Sequence, residues 1–241
     1  MKNKLVVVTG PTASGKSDLA MQIALAFGGE LVSADSVQVY REFDIGSAKP
    51  SREDLALVRH HFISTLDPTE DFSAGQFSKA AREVITDIWS RGKLAVVVGG
   101  TGFYISALLH GLPEMGDDNP ADQKAFWDEL ESLRSQSSSD ENYHEELVSW
   151  LEKVDPKRAK EIGSTNRARI IRALRAWKLT GKKTSDFTPF SDDFPAETLV
   201  LLVGTEEREK LYSRINERAE IMFREGFIEE VRKLRSRYPH H

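Results

Sequence analysis

The residues best suited to chemistry lie near the start of the chain, in the segment Gly10–Ser17, which reads GPTASGKS. This segment fits G-x-x-x-x-G-K-[ST], a glycine-rich loop that joins a buried strand to the N-terminus of a helix. Backbone N–H groups of such a loop point into one concavity, and the helix dipole favours an anion there. Lys16 adds a positive charge, and the Ser17 hydroxyl can ligate a Mg²⁺ ion shared with the phosphates. The loop therefore predicts a phosphate site, which could hold either a diphosphate ester or a nucleoside triphosphate.

A second candidate is Asp35, at the carboxyl end of the short strand-like segment Glu30–Asp35. Ligands of parallel α/β sheets bind at the carboxyl ends of the strands, so we expect Asp35 to face the phosphate loop. Two roles are open at this position. Asp35 could act as a general base close to the phosphates, or it could cap a turn or assist the magnesium ion.

A third candidate is the glycine-rich turn Gly99–Gly102, which follows the apolar run Leu94–Val98. In phosphate-loop hydrolases and many kinases, such a strand ends in an aspartate that helps to hold the metal. Here it ends in glycines and Thr101, whose hydroxyl could reach an oxygen of a leaving phosphate. The alternative is a tight turn before a helix.

Basic residues are concentrated in one part of a chain whose net charge is −5. The range 157–183 contains ten lysines and arginines and the single acid Glu161, whereas acids predominate over 114–155. Arg169, Arg172 and Arg175 recur at a spacing of three on a predicted helix. This arrangement predicts a local surface that binds a polyanion, and the alternative is a solvated helix face.

Two further groups are ambiguous from the pattern alone. Arg208 begins a predicted helix that also carries Arg214 and Arg218, and these could be diphosphate ligands or surface charges. His60 and His61 fall at the end of a predicted helix, where adjacent side chains point to different faces. Because no third ligand is placed beside them, we expect no metal site there.

The elements that position these groups follow from hydrophobic periodicity. Apolar strands alternate with amphipathic helices, which predicts an α/β fold: a doubly wound, P-loop NTPase-like parallel sheet flanked by helices. The predicted strands cover 5–9, 30–35, 62–66, 94–98 and 197–204. The predicted helices cover 17–27, 51–60, 73–89, 103–110, 121–134, 140–153, 156–162, 165–180, 206–225 and 227–237.

The chain is predicted to divide into a catalytic core and an insertion. Its 241 residues can bury one good core with a smaller appended domain. The sequence changes in character from Pro113, with a linker at 116–120 and helices after it, so we predict a helical insertion domain over 113–195. The core then comprises 1–112 and 196–241, and its last strand rejoins the sheet.

Composition excludes several classes of protein. The absence of cysteine excludes disulfides, thiolate nucleophiles and cysteine metal sites. No apolar run approaches the length of a membrane span, and the first nine residues do not form a signal-peptide pattern. We therefore expect a cytoplasmic protein with no membrane partner.

Together these motifs resemble those of tRNA dimethylallyltransferases, also called tRNA isopentenyltransferases. The similar segments span nearly the whole chain in the expected order, and the second and third are far more specific than the phosphate loop. They are GPTASGKS at 10–17, SADSVQVY at 33–40, DIGSAKP at 44–50, GGTGFY at 99–104, RIIRAL at 169–174 and YSRINER at 212–218.

The resemblance implies transfer of a dimethylallyl group from dimethylallyl diphosphate to N6 of adenosine 37 in tRNA, with release of diphosphate. It implies Asp35 as the general base, with Thr101 and Arg208 assisting at the leaving group. Mg²⁺ would accompany the diphosphate, with Ser17 as its protein ligand. The diphosphate-binding residues are then Gly10, Pro11, Thr12, Ala13, Ser14, Gly15, Lys16 and Ser17, and the tRNA-binding residues are Asp35, Ser36, Val37, Gln38, Ala168, Arg169, Ile170, Ile171 and Arg172.

The sequence also departs from the family pattern. Ser47 stands where the family usually has threonine, and Arg59 stands before the two histidines where it usually has proline. The family normally continues with a glycine-tyrosine segment and a basic helix that embraces the tRNA, whereas this chain ends at His241. We therefore expect a chain that lacks this C-terminal segment, and we expect a monomer that binds the anticodon stem-loop.

Three alternative functions are carried forward. An isopentenyltransferase acting on free adenine nucleotides would share the loop and the base, but would not explain the basic insertion. A small-molecule kinase would use the loop to hold ATP. A non-catalytic nucleotide-binding module is disfavoured because Asp35, Thr101 and the loop are expected to converge on one cleft.

Overall fold

The computed structural model describes residues 3–112, 119–186, 193–204 and 207–239. No helix within these ranges has both the length and the apolar character needed to cross a lipid bilayer. The described strands are β1 Lys4–Thr9, β2 Glu30–Ser33, β3 His60–His61, β4 Ala95–Gly99 and β5 Glu197–Leu202. The described helices are α1 Lys16–Phe27, α2 Arg52–Leu57, α3 Ala74–Ser90, α4 Gly102–His110, α5 Pro120–Gln136, α6 Asp140–Val154, α7 Pro156–Ile162, α8 Arg167–Thr180, α9 Arg208–Arg224 and α10 Phe227–Arg237.

The chain separates into two compact units. The first combines Met1–Gly111 with Asp192–His241, and the second is Leu112–Ser191. Residues 116–118 of the linker predicted at 116–120 lie outside the described residues, which resume at Asn119. Asn119 caps α5 by accepting a hydrogen bond from the N–H of Ala121, and Pro120 occupies the first helical turn.

The first unit is built on a parallel sheet with strand order β3-β2-β4-β1-β5. The predicted parallel sheet flanked by helices is confirmed, and the last strand joins it beside β1. Val7 of β1 and Val97 of β4 are fully buried and lie opposite each other in the ladder. Continuous valine-rich runs are typical of parallel strands covered on both faces, which explains why these two strands occupy the centre.

Helix α3 illustrates how local signals and packing agree in this unit. The Ser73 hydroxyl accepts the N–H of Gln76, and the Gln76 side chain accepts the N–H of Ser73, so a capping box begins the helix. Phe77, Ile85 and Ile88 on its inner face are completely buried. The helix therefore packs under the sheet along the stripe that the sequence pattern predicts.

The strand predicted at 62–66 is wrong. The ladder at this edge of the sheet consists of His60 and His61. The sequence pattern predicts these histidines at the end of a helix, but α2 ends at Leu57. Phe62 and Ser64 adopt positive φ angles of 62° and 51°, which no strand tolerates. The backbone here bonds to the preceding loop instead of a neighbouring strand: the N–H of Ser64 donates to the carbonyl oxygen of Gln38 at 2.9 Å.

The second unit is helical in its described part and has a core of its own. Helix α8 buries Ile170 and Leu174 against α5 and α6, where Phe126 and Leu147 are also fully buried. The buried carboxylate of Asp155 caps α7 and also accepts hydrogen bonds from Thr184 and Ser185. Burying a carboxylate is costly unless it is hydrogen-bonded, so Asp155 ties the segment after α8 to the start of α7.

Candidate active site

Three of the predicted functional segments follow neighbouring strands of the sheet. The phosphate loop Gly10–Ser17 follows β1, the turn Ala34–Gln38 follows β2, and the turn Gly99–Gly102 follows β4. Strand β4 pairs with both β1 and β2, so the carboxyl ends of these strands form one edge. This is the edge at which parallel α/β sheets bind their ligands.

Hydrogen bonds join the end of β1 and the two turns that follow β2 and β4. The Thr9 hydroxyl donates to the carbonyl oxygen of Gly99 at 3.0 Å. The N–H of Thr101 donates to the carbonyl oxygen of Ala34 at 3.3 Å, and the Thr101 hydroxyl accepts the N–H of Ser36 at 3.3 Å. A Cβ atom on Gly99 would lie 2.1 Å from the Ala34 oxygen, so glycine is required where β2 and β4 approach. Thr101 therefore braces the turn that carries Asp35.

The phosphate loop is closed on itself beside α1. The ammonium group of Lys16 donates to the carbonyl oxygen of Pro11 at 3.1 Å, and Ala13 adopts a left-handed conformation with φ of 61°. The buried hydroxyl of Ser14 has no hydrogen-bond partner among the described residues. Because a buried polar group normally finds a partner, this hydroxyl is suited to an incoming ligand.

The electrostatic environment of Lys16 links the loop to the other site residues. Partial burial and the nearby positive charge of Arg218 lower the pKa of Lys16, while the charge of Asp35 opposes this shift. The charges of Arg218, on α9, and of Asp35 thus both influence Lys16. The sequence pattern did not distinguish Arg218 from a surface arginine. Neither Lys16 nor Arg218 forms an ion pair within the described residues, so their positive charges make the cleft attractive to a phosphate group.

Asp35 has one carboxylate oxygen engaged and one free. Its Oδ1 accepts the N–H groups of Val37 at 2.9 Å and Gln38 at 3.2 Å, which caps the turn. No described residue donates to Oδ2, and the side chain is half-buried. The capping role considered from the sequence is thus present, and it leaves the second oxygen free to accept a proton.

Gln38 is held on both sides of its amide. Its Oε1 accepts the Ser33 hydroxyl at 3.1 Å, and its Nε2 donates to the carbonyl oxygens of Ser47 and Ala48, both at 3.1 Å. Val37, next to it, is 41% exposed. The turn after β2 therefore presents the exposed apolar side chain of Val37 close to Asp35, and the amide of Gln38 is held in place by hydrogen bonds.

The other predicted site residues are distributed as follows. Arg208 is exposed at the first position of α9, and its role at the leaving group stays a prediction. Thr12 and Ser17 of the loop are exposed. Ala168 and the rest of the predicted tRNA-binding helix belong to the second unit, where Ile170 is 1% exposed. The Ile170 side chain is thus part of a core and cannot contact RNA at a surface.

The basic residues of the second unit differ in whether they have acidic partners. Arg167 bonds to the carboxylate of Asp140, with its closest approach at 2.8 Å, and Lys178 lies 2.9 Å from Glu129. The excess of positive charge counted along the sequence is therefore partly neutralised. Arg169 and Arg172 are exposed, and neither pairs with an acid within the described residues.

Sequence reasoning also missed a buried acidic centre at the opposite end of β2. Glu30 is 1% exposed and accepts hydrogen bonds from Arg91 and, at 2.8 Å, from Lys93. His61 Nε2 lies 2.8 Å from the same carboxylate. His60 bonds to the backbone oxygen of Val58. The histidine pair thus belongs to a structural cluster. The sequence signals for this cluster were an acid at the start of one predicted strand and the basic residues Arg91 and Lys93 shortly before another.

A family model and known proteins resemble this chain along nearly its whole length. The family model for IPP transferase matches residues 38–241. The tRNA dimethylallyltransferase 1 of Citrifermentans bemidjiense is 46% identical over 236 residues, which is 97% of this chain and 72% of that protein. The tRNA dimethylallyltransferase of Geobacter sulfurreducens is 46% identical over 237 residues, with the same coverage of 97% and 72%.

Solved structures agree with these sequence matches. A eukaryotic dimethylallyltransferase acting on tRNA superposes with a TM-score of 0.75 at 27% identity, covering 98% of this chain and 56% of that one. The full-length tRNA isopentenylpyrophosphate transferase of Bacillus halodurans superposes with a TM-score of 0.62 at 38% identity, covering 98% of this chain and 71% of that one.

Proposed function

This chain belongs to the IPP transferase family, and we propose that it transfers a dimethylallyl group from dimethylallyl diphosphate to N6 of adenosine 37 in tRNA. It is a prenyltransferase that modifies tRNA. The observation that carries the finer assignment is the meeting of the phosphate loop, Asp35 and Thr101 at one edge of the sheet. A donor with two linked phosphates needs a site for those phosphates, which the loop offers. An acceptor that must lose a proton needs a nearby base, which Asp35 offers.

The acceptor half of the reaction requires a base. The lone pair of an adenine amino group is delocalised into the ring, so the nitrogen is a poor nucleophile. As N6 forms its bond to the allylic carbon, the carbon–oxygen bond to the diphosphate breaks and a proton on N6 becomes acidic. The free Oδ2 of Asp35 takes this proton, while Oδ1 stays bonded to the N–H groups of Val37 and Gln38.

The donor half requires stabilisation of a leaving anion. Negative charge grows on the diphosphate as it departs, and preorganised donors aimed at that charge lower the barrier. The loop amides, Lys16, Thr101 and Arg208 are the groups assigned to this task. The positive charge of Arg218, which lowers the pKa of Lys16, adds to the positive potential at the loop.

The residues present fit a magnesium ion that arrives with the diphosphate. Among the described residues there is no cluster of three or more histidine, aspartate, glutamate or cysteine side chains that could hold a metal without it. Ser17 offers an exposed hydroxyl oxygen in the first turn of α1, and Mg²⁺ commonly combines such a ligand with phosphate oxygens. When bound, the ion would supply charge neutralisation on the diphosphate.

The acceptor base must leave its stack to reach Asp35. An enzyme that acts on a base extrudes the nucleotide into a pocket, or takes it from a loop that is already unpaired. The exposed Val37 side chain gives such a base an apolar surface beside the carboxylate. The exposed Arg169 and Arg172 of the second unit are assigned to the phosphate backbone of the anticodon stem-loop. A monomer working in the cytoplasm is the corresponding prediction for the assembly and its location.

A labelled-donor assay tests the proposal against its alternatives. The protein is incubated with labelled dimethylallyl diphosphate or labelled ATP, and with tRNA or AMP as the acceptor. We expect label from dimethylallyl diphosphate in tRNA, and digestion of the product should place it on adenosine 37. Transfer to AMP alone would favour the enzyme of free nucleotides, and transfer from ATP to a small molecule would favour the kinase.

A further inference from the structure

The loop that follows the Asp35 turn is held by the last described helix. We define the 42–49 loop as Glu42–Lys49, the segment that leads to α2. The carboxylate of Glu230, on α10, accepts three consecutive backbone N–H groups of this loop. Its Oε2 binds the N–H of Asp44 at 2.9 Å and of Ile45 at 2.7 Å, and its Oε1 binds that of Gly46 at 3.0 Å. Charge-assisted bonds of this kind are about twice as strong as neutral ones.

The loop backbone also lies directly on α10. A Cβ atom at position 46 would come within 2.5 Å of the Phe227 ring, so only glycine allows this approach. At the start of the loop, Glu42 accepts hydrogen bonds from Arg237 and from the Tyr238 hydroxyl, both at 3.0 Å. Both the beginning and the middle of the loop are therefore attached to one helix.

The loop needs such external contacts because its backbone is strained. Glu42 and Ala48 adopt left-handed conformations, with φ angles of 67° and 49°. Such a conformation is unfavourable for a residue other than glycine, and it persists only where the surroundings impose it. The free energy that holds the loop in place must come from α10 and from the contacts on its other side.

On its other side the loop meets the residues assigned to the acceptor. The Gln38 amide donates to the carbonyl oxygens of Ser47 and Ala48, and the N–H of Gln38 donates to Oδ1 of Asp35. Bonded contacts thus run from Glu230 to the loop, from the loop to Gln38, and from Gln38 to Asp35. The phosphate loop makes no described hydrogen bond to any of these loop residues.

We propose that Glu230 is a positioning residue for prenyl transfer, acting through the 42–49 loop and Gln38 to fix the orientation of Asp35. This inference rests on the proposed function of the Asp35 site. Its physical content is that the acceptor side of the cleft depends on α10, whereas diphosphate binding does not. The substitution Glu230→Gln isolates the effect, because it preserves size while turning an amide NH₂ towards N–H groups that need an acceptor.

The kinetic test compares Glu230→Gln with Glu229→Gln. Glu229 is the exposed neighbour on the same helix, and its ion pair with Arg232 spans 3.7 Å. We expect Glu230→Gln to lower kcat by about 10- to 100-fold, because small misplacements of a reacting group have effects of that size. KM for dimethylallyl diphosphate should stay within about twofold, and Glu229→Gln should behave like the wild type. Equal behaviour of the two variants, or a large rise in KM for the donor, would overturn the proposal.

A double-mutant cycle tests the route through Gln38. If Glu230 acts through Gln38, then adding Glu230→Gln to Gln38→Ala should lower kcat by no more than about threefold beyond Gln38→Ala alone, because coupled residues are not additive. If the two losses multiply, Glu230 does not act through Gln38 and the route is wrong.

Hydrogen exchange measures the same coupling without requiring activity. In Glu230→Gln we expect faster exchange at the amides of 44–46 and also at Val37 and Gln38, with strands β1 and β4 unchanged. Faster exchange confined to 44–46, or spread evenly over the core strands, would contradict the proposal. If the wild-type protein transfers no dimethylallyl group, the proposed function fails, and the exchange pattern still decides whether Glu230 holds the Asp35 turn.

Discussion

The two carboxylates at opposite ends of β2 differ in their burial and in their hydrogen-bond partners. Glu30, at the start of the strand, is almost completely buried and bonded to Arg91, Lys93 and His61. Asp35, just past its end, is half-buried, and within the described part of the chain it accepts hydrogen bonds only from two backbone N–H groups, through one oxygen. The difference shows that position along a parallel strand separates a structural carboxylate from one available for chemistry.

The partners of Glu30 explain why it cannot act as a base. Hydrogen bonds from Arg91 oppose and outweigh the effect of burial, and with Lys93 and His61 they hold the pKa of the Glu30 carboxyl far below its usual range. A carboxylate so strongly stabilised in its charged form does not accept a proton near neutral pH. No described residue donates a hydrogen bond to Oδ2 of Asp35, so this oxygen remains available to a substrate.

The largest effect is expected from Asp35→Asn. Asparagine keeps an oxygen for the N–H groups of Val37 and Gln38 but cannot take a proton, so turnover should fall by at least about 100-fold. Binding of dimethylallyl diphosphate, measured by calorimetry, should stay within about threefold. The control is Asp18→Asn, which removes a charge from the first turn of α1. Unchanged turnover in Asp35→Asn would remove Asp35 from its role as the base.

At Glu30 we expect a substitution to lower the stability of the fold. Glu30→Ala leaves Arg91 and Lys93 without their shared anion, and because both are partly exposed we expect a loss of about 2 kcal/mol in the free energy of unfolding. Urea denaturation at pH 7 measures it. The control is Asp87→Ala, which removes the exposed partner of the same Arg91 and should cost no more than about 0.5 kcal/mol. Equal losses would mean that burial of Glu30 adds nothing.

The contribution of Glu30 should also depend on acidity. Its pKa is lowered on folding, so the stabilisation is complete above the unfolded value near 4.5 and is lost as the pH falls towards the folded value. Denaturation curves measured between pH 7 and pH 3 should therefore show the wild type and Glu30→Ala converging below about pH 4.5. A constant difference over this range would show that Glu30 stabilises the fold by packing alone.

The smallest effect is expected in the second unit, where the same contrast holds between partnered and unpartnered cations. Replacing Arg169 and Arg172 with glutamine should lower the salt dependence of tRNA binding by about one to two units of slope, since about one counterion is released for each phosphate contact. The control replaces Arg167 and Lys178, which pair with Asp140 and Glu129. Filter binding at several salt concentrations measures both. An unaltered slope would make Arg169 and Arg172 parts of a solvated face.

Much of the fold could be predicted because its signals are local. The glycines of Gly10–Ser17 predict its turn, and the apolar runs of β1 and β4 predict strands. Ser73 and Gln76 form the capping box that begins α3. The strand predicted at 62–66 is wrong because the apolar residues alone favoured a β-ladder there. In the structure, the backbone of this segment has positive φ angles and forms hydrogen bonds to Gln38 and Val39 instead. Their positions at or after the ends of predicted strands made Asp35 and Thr101 candidates, and the family resemblance added Gln38 and a role for each. Neither source indicated the hydrogen-bond partners of these side chains.

The sequence by itself determined the phosphate loop, the order of strands and helices, and the acid at the end of β2. Each of these depends on neighbours within a few residues, whose conformational preferences are fixed by their own chemistry. Only the tertiary structure decided that Glu30 would be surrounded by cations and that Glu230 would hold a loop 186 positions away along the chain. Such contacts arise from packing between distant segments, and no short pattern records which of many exposed acids will meet a row of unsatisfied N–H groups.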